Sequence, residues 1–278
     1  MRALGAELIR AWLKKPPVAG PASWRDSLRD LPERLGSLLS EPRYRFGLPC
    51  VAISAIAEQY YCEAKVDLEH RLGEVATEAK EEGRRIHEEL LKMEPATLEE
   101  LIKDIKERPL YICTFPVYAE LEGLAIVGFP DAVAFRHARP ALLLELKTTS
   151  GSPGRLWADE RVQVEAYAYA LDYMGFDCSG LRLAVVKVRR SSIALSRNFI
   201  MYVTLQVLLN SAEELNRELS RESARVHLLP YDRQSVVEKL RWAKGYWLGE
   251  REPVPTKYAG KCRACPYSGR CPYSLAAR

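Results

Sequence analysis

The sequence predicts a mixed α/β protein in which helices flank a sheet. Stretches with helical periodicity alternate with short segments rich in Val, Ile, Leu, Phe and Tyr, and Gly and Pro separate those segments. The chain has 278 residues, of which 47% are apolar and 28% charged, as in an ordinary globule of one large or two modest domains.

The helices are predicted from caps and apolar stripes. Ser54 and Thr97 are suitable N-caps, and Ile86, Leu90 and Leu91 form an apolar stripe on a highly charged segment. A Pro-rich arm of short helices and turns precedes them over residues 1–49. The predicted helices lie near residues 54–70, 75–91, 97–107, 158–173, 207–222 and 232–248.

The strands are predicted from β-branched and aromatic runs between turn residues. Glu122-Gly123 is a hairpin signal between two such runs. The predicted strands lie near residues 110–120, 124–129, 132–136, 141–147, 181–188 and 199–206. We therefore expect an arm over 1–49, a core over 50–250 and a Cys-rich segment over 251–278.

Composition excludes several classes of protein. No apolar run reaches the length of about 18 residues that a membrane-spanning helix needs. The first 15 residues lack the features of a secretory signal, so a cytoplasmic location is expected. The chain has no phosphate-binding loop of an ATP-driven motor. Asn and Gln occur only seven times in total, which favours a thermophilic source.

The most informative motif is Pro130-Asp131, followed after thirteen residues by Glu145-Leu146-Lys147. The apolar run before Glu145 predicts a buried strand, and residues i and i+2 project to the same side of it. Two carboxylates can hold Mg²⁺ or Mn²⁺, and a neighbouring Lys can orient a water and stabilise charge on phosphorus. Alone, the motif is also compatible with a solvated ion pair on an edge strand.

Two further features strengthen this interpretation. Gln163 and Tyr167 are four residues apart on the next predicted helix and share one face. His87 lies on an upstream helix, where an imidazole is a suitable third ligand for Mn²⁺. A lone helical His is more often packed or exposed, but the four elements together are harder to dismiss.

These motifs resemble those of the RecB-type branch of the PD-(D/E)XK nucleases, whose core is a restriction-endonuclease-like mixed sheet flanked by helices. The resemblance implies a metal-dependent phosphodiesterase in which His87, Asp131 and Glu145 bind the metal. It further implies that Lys147 serves the attacking water, and that Gln163 and Tyr167 steady the DNA strand.

The C-terminal segment contains Cys262, Cys265 and Cys271 within ten residues. Three close thiols need a fourth ligand to complete a zinc site or an iron–sulfur cluster. The segment offers none, so a remote cysteine is required, and an iron–sulfur cluster is favoured over a zinc ribbon. The candidates for the fourth ligand are Cys50, Cys62, Cys113 and Cys178.

Residues around Cys62 resemble the first-cysteine motif of CRISPR-associated iron–sulfur exonucleases, namely Ser54-x-Ile56, Tyr60-Tyr61-Cys62 and Lys65. The resemblance implies that Cys62 and the three C-terminal cysteines bind a cluster, 4Fe–4S or 2Fe–2S, that joins the two ends of the chain. This sequence departs from the family at Glu63-Ala64, where Pro-Arg is common, which leaves Cys50 as the second choice. Cys113 and Cys178 are expected in the core.

Nucleic-acid contacts are predicted from charge placement, because the net charge is only +4. No acidic residue occurs between Asp177 and Glu213, and Lys187, Arg189 and Arg190 are expected to form a basic hairpin turn that contacts DNA. The C-terminal segment adds Lys, Arg and Tyr residues suited to backbone contacts and base stacking. Solubilising charges are the alternative.

The leading hypothesis is a metal-dependent exonuclease on single-stranded DNA ends. The resemblance extends it to 5′ to 3′ polarity and to trimming DNA beside the CRISPR adaptation integrase. The alternatives are a stand-alone repair nuclease and a non-catalytic iron–sulfur adaptor that only grips DNA.

Overall fold

The computed structural model describes residues 23–91, 97–190, 196–209, 212–219 and 223–276, with the side chains of 79, 86, 87 and 89–91 excepted. Its helices are α1 (Trp24–Arg29), α2 (Leu31–Leu38), α3 (Ile53–Tyr61), α4 (Glu63–Leu72), α5 (Glu78–Leu91), α6 (Leu98–Glu107), α7 (Ala158–Tyr173), α8 (Arg197–Leu209), α9 (Ala212–Glu218), α10 (Arg233–Trp247) and α11 (Ala259–Arg263). Its strands are β1 (Val51–Ala52), β2 (Leu110–Cys113), β3 (Val117–Leu121), β4 (Leu124–Gly128), β5 (Ala132–Arg136), β6 (Arg139–Thr149), β7 (Arg182–Arg189) and β8 (Ala224–Pro230).

The described strands form two sheets. The larger sheet has the order β2-β5-β6-β7-β8, in which only β6 and β7 pair in parallel. The smaller sheet has the order β1-β4-β3. Helix α7 connects β6 to β7, as a parallel crossover requires, and it contacts both sheets. The mixed α/β fold class predicted from the sequence is confirmed.

Strand alternation gives the two faces of the larger sheet different neighbours. On β6, Leu142 and Leu144 belong to one core with α8 and α9, whereas Leu143 belongs to the main core around α7. On β7, Leu183 and Val185 likewise face the main core. Odd-numbered residues of these two strands therefore point towards α7, and so do Val133 and Phe135 of β5.

The structure differs from the predicted elements in several places. The segment predicted as a strand at 199–206 is part of α8, because Ile200, Val203 and Val207 are buried at helical spacing and Tyr202 is exposed. Strand β8 occupies a segment that was not predicted as a strand. The helix predicted over 54–70 is also broken at Cys62, whose backbone is extended between α3 and α4.

The arm and the C-terminal segment both pack on the core. Leu28, Leu31 and Leu38 of α1 and α2 are buried in the main core. Tyr61 donates a hydrogen bond to the carbonyl of Lys261, and Tyr267 donates one to the carbonyl of Gly73. The division of the chain at residues 49 and 250 stays a prediction. Within the described residues, no helix has the length and apolar character needed to cross a membrane.

Candidate active site

Asp131 and Glu145 lie side by side on the face of the larger sheet that α7 covers. Ala132 pairs with Leu144, so the antiparallel register places Asp131 opposite Glu145. A carboxylate oxygen of Asp131 accepts a hydrogen bond from the backbone N–H of Leu146 at 2.7 Å. Both side chains are buried, with 6% and 3% of their surface exposed. The sheet thus holds two carboxylates together at a desolvated position.

Lys147 points to the same side as Glu145, as the strand period requires. Its Nζ lies 2.9 Å from Oε1 of Glu145. Burial lowers the pKa of Lys147, but the charge of Glu145 and the hydrogen bond to it raise the pKa by more, so it lies above its ordinary value. Lys147 is therefore held as a cation beside Glu145.

Helix α7 brings Gln163 and Tyr167 to the same place with different roles. Lys147 donates a hydrogen bond to Oε1 of Gln163 at 2.6 Å, so Gln163 orients the cation. Tyr167 is only 3% exposed, and burial raises the pKa of its hydroxyl well above the ordinary value. The predicted role of Tyr167 in steadying a DNA strand stays a prediction.

Gly128 makes room for Tyr167. A Cβ at this position would lie 2.8 Å from Cε1 of Tyr167 and 3.2 Å from Cβ of Ile53. We therefore expect Gly128→Ala to displace the Tyr167 ring and to lower the free energy of unfolding by about 1–3 kcal/mol, measured by urea denaturation. Gly180→Ala is the control because a Cβ there meets open space. Equal stability of the two variants would contradict this packing.

The three basic residues predicted to contact DNA are mostly neutralised within the protein. Lys187 is 1% exposed, and its Nζ lies 2.7 Å from Oε1 of Glu160 and donates to the carbonyl of Arg155. Arg190 forms an ion pair with Glu82 at 3.0 Å. Arg189 is half-buried at the end of β7. The position of Lys187 on the α7 side of β7 buries it, and the predicted DNA contact of these three residues stays a prediction.

Lys187 instead fixes the first turn of α7. Glu160 also accepts a hydrogen bond from the backbone N–H of Trp157, which caps this helix. The pair with Lys187 ties that turn to β7, next to Lys147 in the sheet register. Sequence reasoning missed this role because the sequence alone does not distinguish a buried Lys on a strand from an exposed one. The rest of the predicted turn, residues 191 and 192, lies outside the described residues.

His87 belongs to α5, and α5 packs against β6, the strand that carries Glu145. The side chain of His87 lies outside the described residues, so its predicted role as a metal ligand stays a prediction. Among the described side chains, no group of three or more His, Cys, Asp or Glu residues is arranged to hold a metal ion. The proposed set of three ligands requires His87.

An open cleft of about 300 Å³ leads from the surface to Lys147 and Gln163. Five parts of the chain line it: α3, α4, β6, the start of α7 and the Cys-rich segment. Its charged lining combines cations with carboxylates, namely Lys65, Lys147, Glu58, Asp159 and Glu160. We call it the active-site cleft.

A second, smaller cavity of about 20 Å³ is lined by the four cysteines Cys62, Cys262, Cys265 and Cys271. The thiol of Cys62 accepts a hydrogen bond from the backbone N–H of Thr256 at 3.4 Å. Burial raises the pKa of Cys265. The thiols share a cavity without standing in a ready ligand geometry. Cys50 does not line it.

The remaining cysteines, Cys113 and Cys178, are buried at 0% and 6% exposure, which confirms that they belong to the core. Burial also raises the pKa of both thiols.

The chain is similar to known proteins in two comparisons. A family model described as the PD-(D/E)XK nuclease superfamily matches residues 51–272. A solved structure titled "Crystal structure of SSO0001" is similar over 98% of this chain and 95% of its own length, with 13% sequence identity and a TM-score of 0.43.

Proposed function

Because the chain belongs to the PD-(D/E)XK nuclease superfamily, we propose that it is a metal-dependent exonuclease acting on single-stranded DNA ends. The observation that supports this proposal is the buried pair of Asp131 and Glu145 beside Lys147, which lines an open cleft. Two desolvated carboxylates beside a fixed cation are costly for stability unless they serve a ligand. A cleft open at one side admits the end of a flexible strand.

The donor set fits a small divalent cation. Asp131 and Glu145 provide hard oxygen ligands of the kind that Mg²⁺ and Mn²⁺ prefer, and we propose His87 as a further ligand that favours Mn²⁺. When bound, such an ion polarises a phosphoryl oxygen and lowers the pKa of a water.

The protein's own groups then have separate roles. The leading role of Lys147 is to stabilise negative charge that develops on the phosphoryl group, since its ammonium is held in place by Glu145 and Gln163. Tyr167 is a positioning residue, because it packs under the site and does not reach the cleft.

The test is hydrolysis of single-stranded DNA labelled at either end. We expect mononucleotide or short products with Mn²⁺ or Mg²⁺, and none with excess EDTA. A circular single strand should resist cleavage if the enzyme requires an end. Loss of the 5′ label before the 3′ label would support 5′ to 3′ polarity. Binding of DNA without cleavage under any metal would instead favour a non-catalytic adaptor.

We further propose that the cysteine cavity holds an iron–sulfur cluster, with 4Fe–4S favoured over 2Fe–2S. The support is that Cys62 and the three C-terminal cysteines, about 200 residues apart in sequence, line one cavity. A cluster there would cross-link α3 and α4 to the C-terminal segment. Its role is therefore structural.

We expect Cys62→Ser to lose most of its bound iron and its visible absorption after anaerobic purification. Cys50→Ser is the matched control, since Cys50 lies outside the cavity and should keep both signals. The measurement is iron content per chain together with the visible spectrum. A colourless wild-type protein, or equal iron in both variants, would contradict the cluster.

The proposal of a role in CRISPR adaptation, beside the integrase in the cytoplasm, depends on the resemblance of the Cys62 motif alone. A stand-alone repair nuclease would have the same cleft. Co-purification with an integrase encoded nearby in the genome would support the CRISPR role.

A further inference from the structure

A groove of about 340 Å³ adjoins the active-site cleft, with Tyr61 forming part of both walls. We call it the aromatic groove because five rings line it: Tyr60, Tyr61, Trp157, Trp242 and Tyr258. Tyr258 is 57% exposed and Trp242 is 41% exposed. Concave clusters of solvent-accessible rings are uncommon on a protein surface and usually mark a binding site.

The rings are arranged as surfaces on which a further planar group can lie. The guanidinium of Arg155 stacks on the Trp157 ring at 3.6 Å, and Trp157 contacts Tyr258 edge-to-face with centroids 6.3 Å apart. Tyr60 and Trp242 form a second pair at 4.9 Å. A base that enters the groove would meet aromatic and guanidinium faces on both sides.

The charged side chains that line the groove are all positive. Its charged side chains are Arg155, Lys257 and Lys261, and none of the described residues that line it is acidic. The active-site cleft differs in this respect, since Glu58, Asp159 and Glu160 line it. A ligand that combines planar apolar groups with negative charge fits the groove, and a single strand of nucleic acid has this combination.

The groove also lies at the right place for such a strand. Trp157 caps the N-terminus of α7, and Gln163 follows six residues later, which is about 9 Å along the helix axis at ~1.5 Å per residue. We propose that the aromatic groove stacks unpaired bases of the strand whose backbone is cut in the active-site cleft. This inference rests on the proposed nuclease function and assigns the surface that selects single strands over duplexes.

The first test measures binding of a fluorescent oligothymidylate of about 12 nucleotides in EDTA, which prevents cleavage. We expect Tyr258→Ala and Trp242→Ala each to raise the Kd about fivefold or more, the equivalent of losing ~1 kcal/mol of stacking. Tyr258→Phe keeps the ring and should bind as the wild type does. Tyr202→Ala is the control, because Tyr202 is 43% exposed on α8, away from the groove.

A second measurement separates this inference from the proposed function. Bis(4-nitrophenyl) phosphate is too small to span both sites, so Tyr258→Ala should lose a larger fraction of the wild-type rate on the oligonucleotide than on this ester with Mn²⁺. If Tyr258→Ala binds and cuts the oligonucleotide normally, or if the wild type does not bind it, the groove assignment is overturned. If Tyr258→Ala weakens binding but the wild type hydrolyses neither substrate, the groove stands and the nuclease proposal fails.

Discussion

Glu145→Gln is expected to reduce DNA hydrolysis by about a thousandfold or more, with the strand still bound. The substitution keeps the size of the side chain but removes the negative charge that we propose to hold a divalent cation and that lies 2.9 Å from Nζ of Lys147. Loss of about 4 kcal/mol of transition-state stabilisation corresponds to this factor. The measurement is the single-turnover rate on end-labelled single-stranded DNA with saturating Mn²⁺.

The control for this variant is Glu107→Gln, which removes an exposed carboxylate at the end of α6. It should cut at the wild-type rate. Circular dichroism and the Kd for DNA in EDTA show whether Glu145→Gln is folded and binds. Cleavage at the wild-type rate by Glu145→Gln would rule out this site, whatever the control does.

Glu63→Gln is expected to lower the free energy of unfolding by about 3 kcal/mol. Glu63 is fully buried, and both of its oxygens bind Arg251 at 2.6 Å. The same carboxylate accepts hydrogen bonds from the side chain of Gln59 and the backbone N–H of Val254, each at 2.6 Å. An amide in its place offers only one acceptor and leaves a guanidinium without its counter-charge.

Two measurements check this expectation. Urea denaturation gives the stability, and limited trypsin digestion reports whether the segment around Arg251 and Lys257 has detached from α4. Glu41→Gln is the control, since Glu41 lies on the surface and its contact with Arg43 is 3.8 Å long. It should have little effect because exposed ion pairs contribute little. A Glu63→Gln protein as stable and protease-resistant as this control would contradict the role of the Glu63–Arg251 ion pair in holding the C-terminal segment.

Glu63 is also one of the two residues at which this sequence departs from the family that its Cys62 motif resembles. The CRISPR-associated exonucleases commonly have Pro-Arg after the first cysteine, and this chain has Glu63-Ala64. Here the carboxylate next to Cys62 holds the C-terminal segment through Arg251. Protein contacts therefore hold the two ends together, independently of any cluster.

The parts that sequence reasoning predicted well are those governed by local periodicity. The strand period placed Glu145 and Lys147 on one side, and the helix period placed Gln163 and Tyr167 on one face, and both patterns are present in the structure. The strand predicted over 199–206 is wrong. Its β-branched and aromatic residues favour a strand, but the segment forms a helix that buries one face.

Burial was the property that the sequence could not provide. In the sequence, Lys187 and Arg190 form a basic patch. In the structure they pair with Glu160 and Glu82, which lie on helices distant in the chain. Tyr167 shares a helix face with Gln163, but the sequence does not show that it is only 3% exposed. Its ring lies close to Gly128, which is on another element of the chain.

The position of the C-terminal segment has a consequence for folding. Ala264, Cys265 and Pro266 line the same cleft as Lys147 and Gln163, although they lie far from both in the sequence. Contacts of such large sequence separation form late in folding. We therefore expect the strands that carry Asp131 and Glu145 to pair before the cleft is complete.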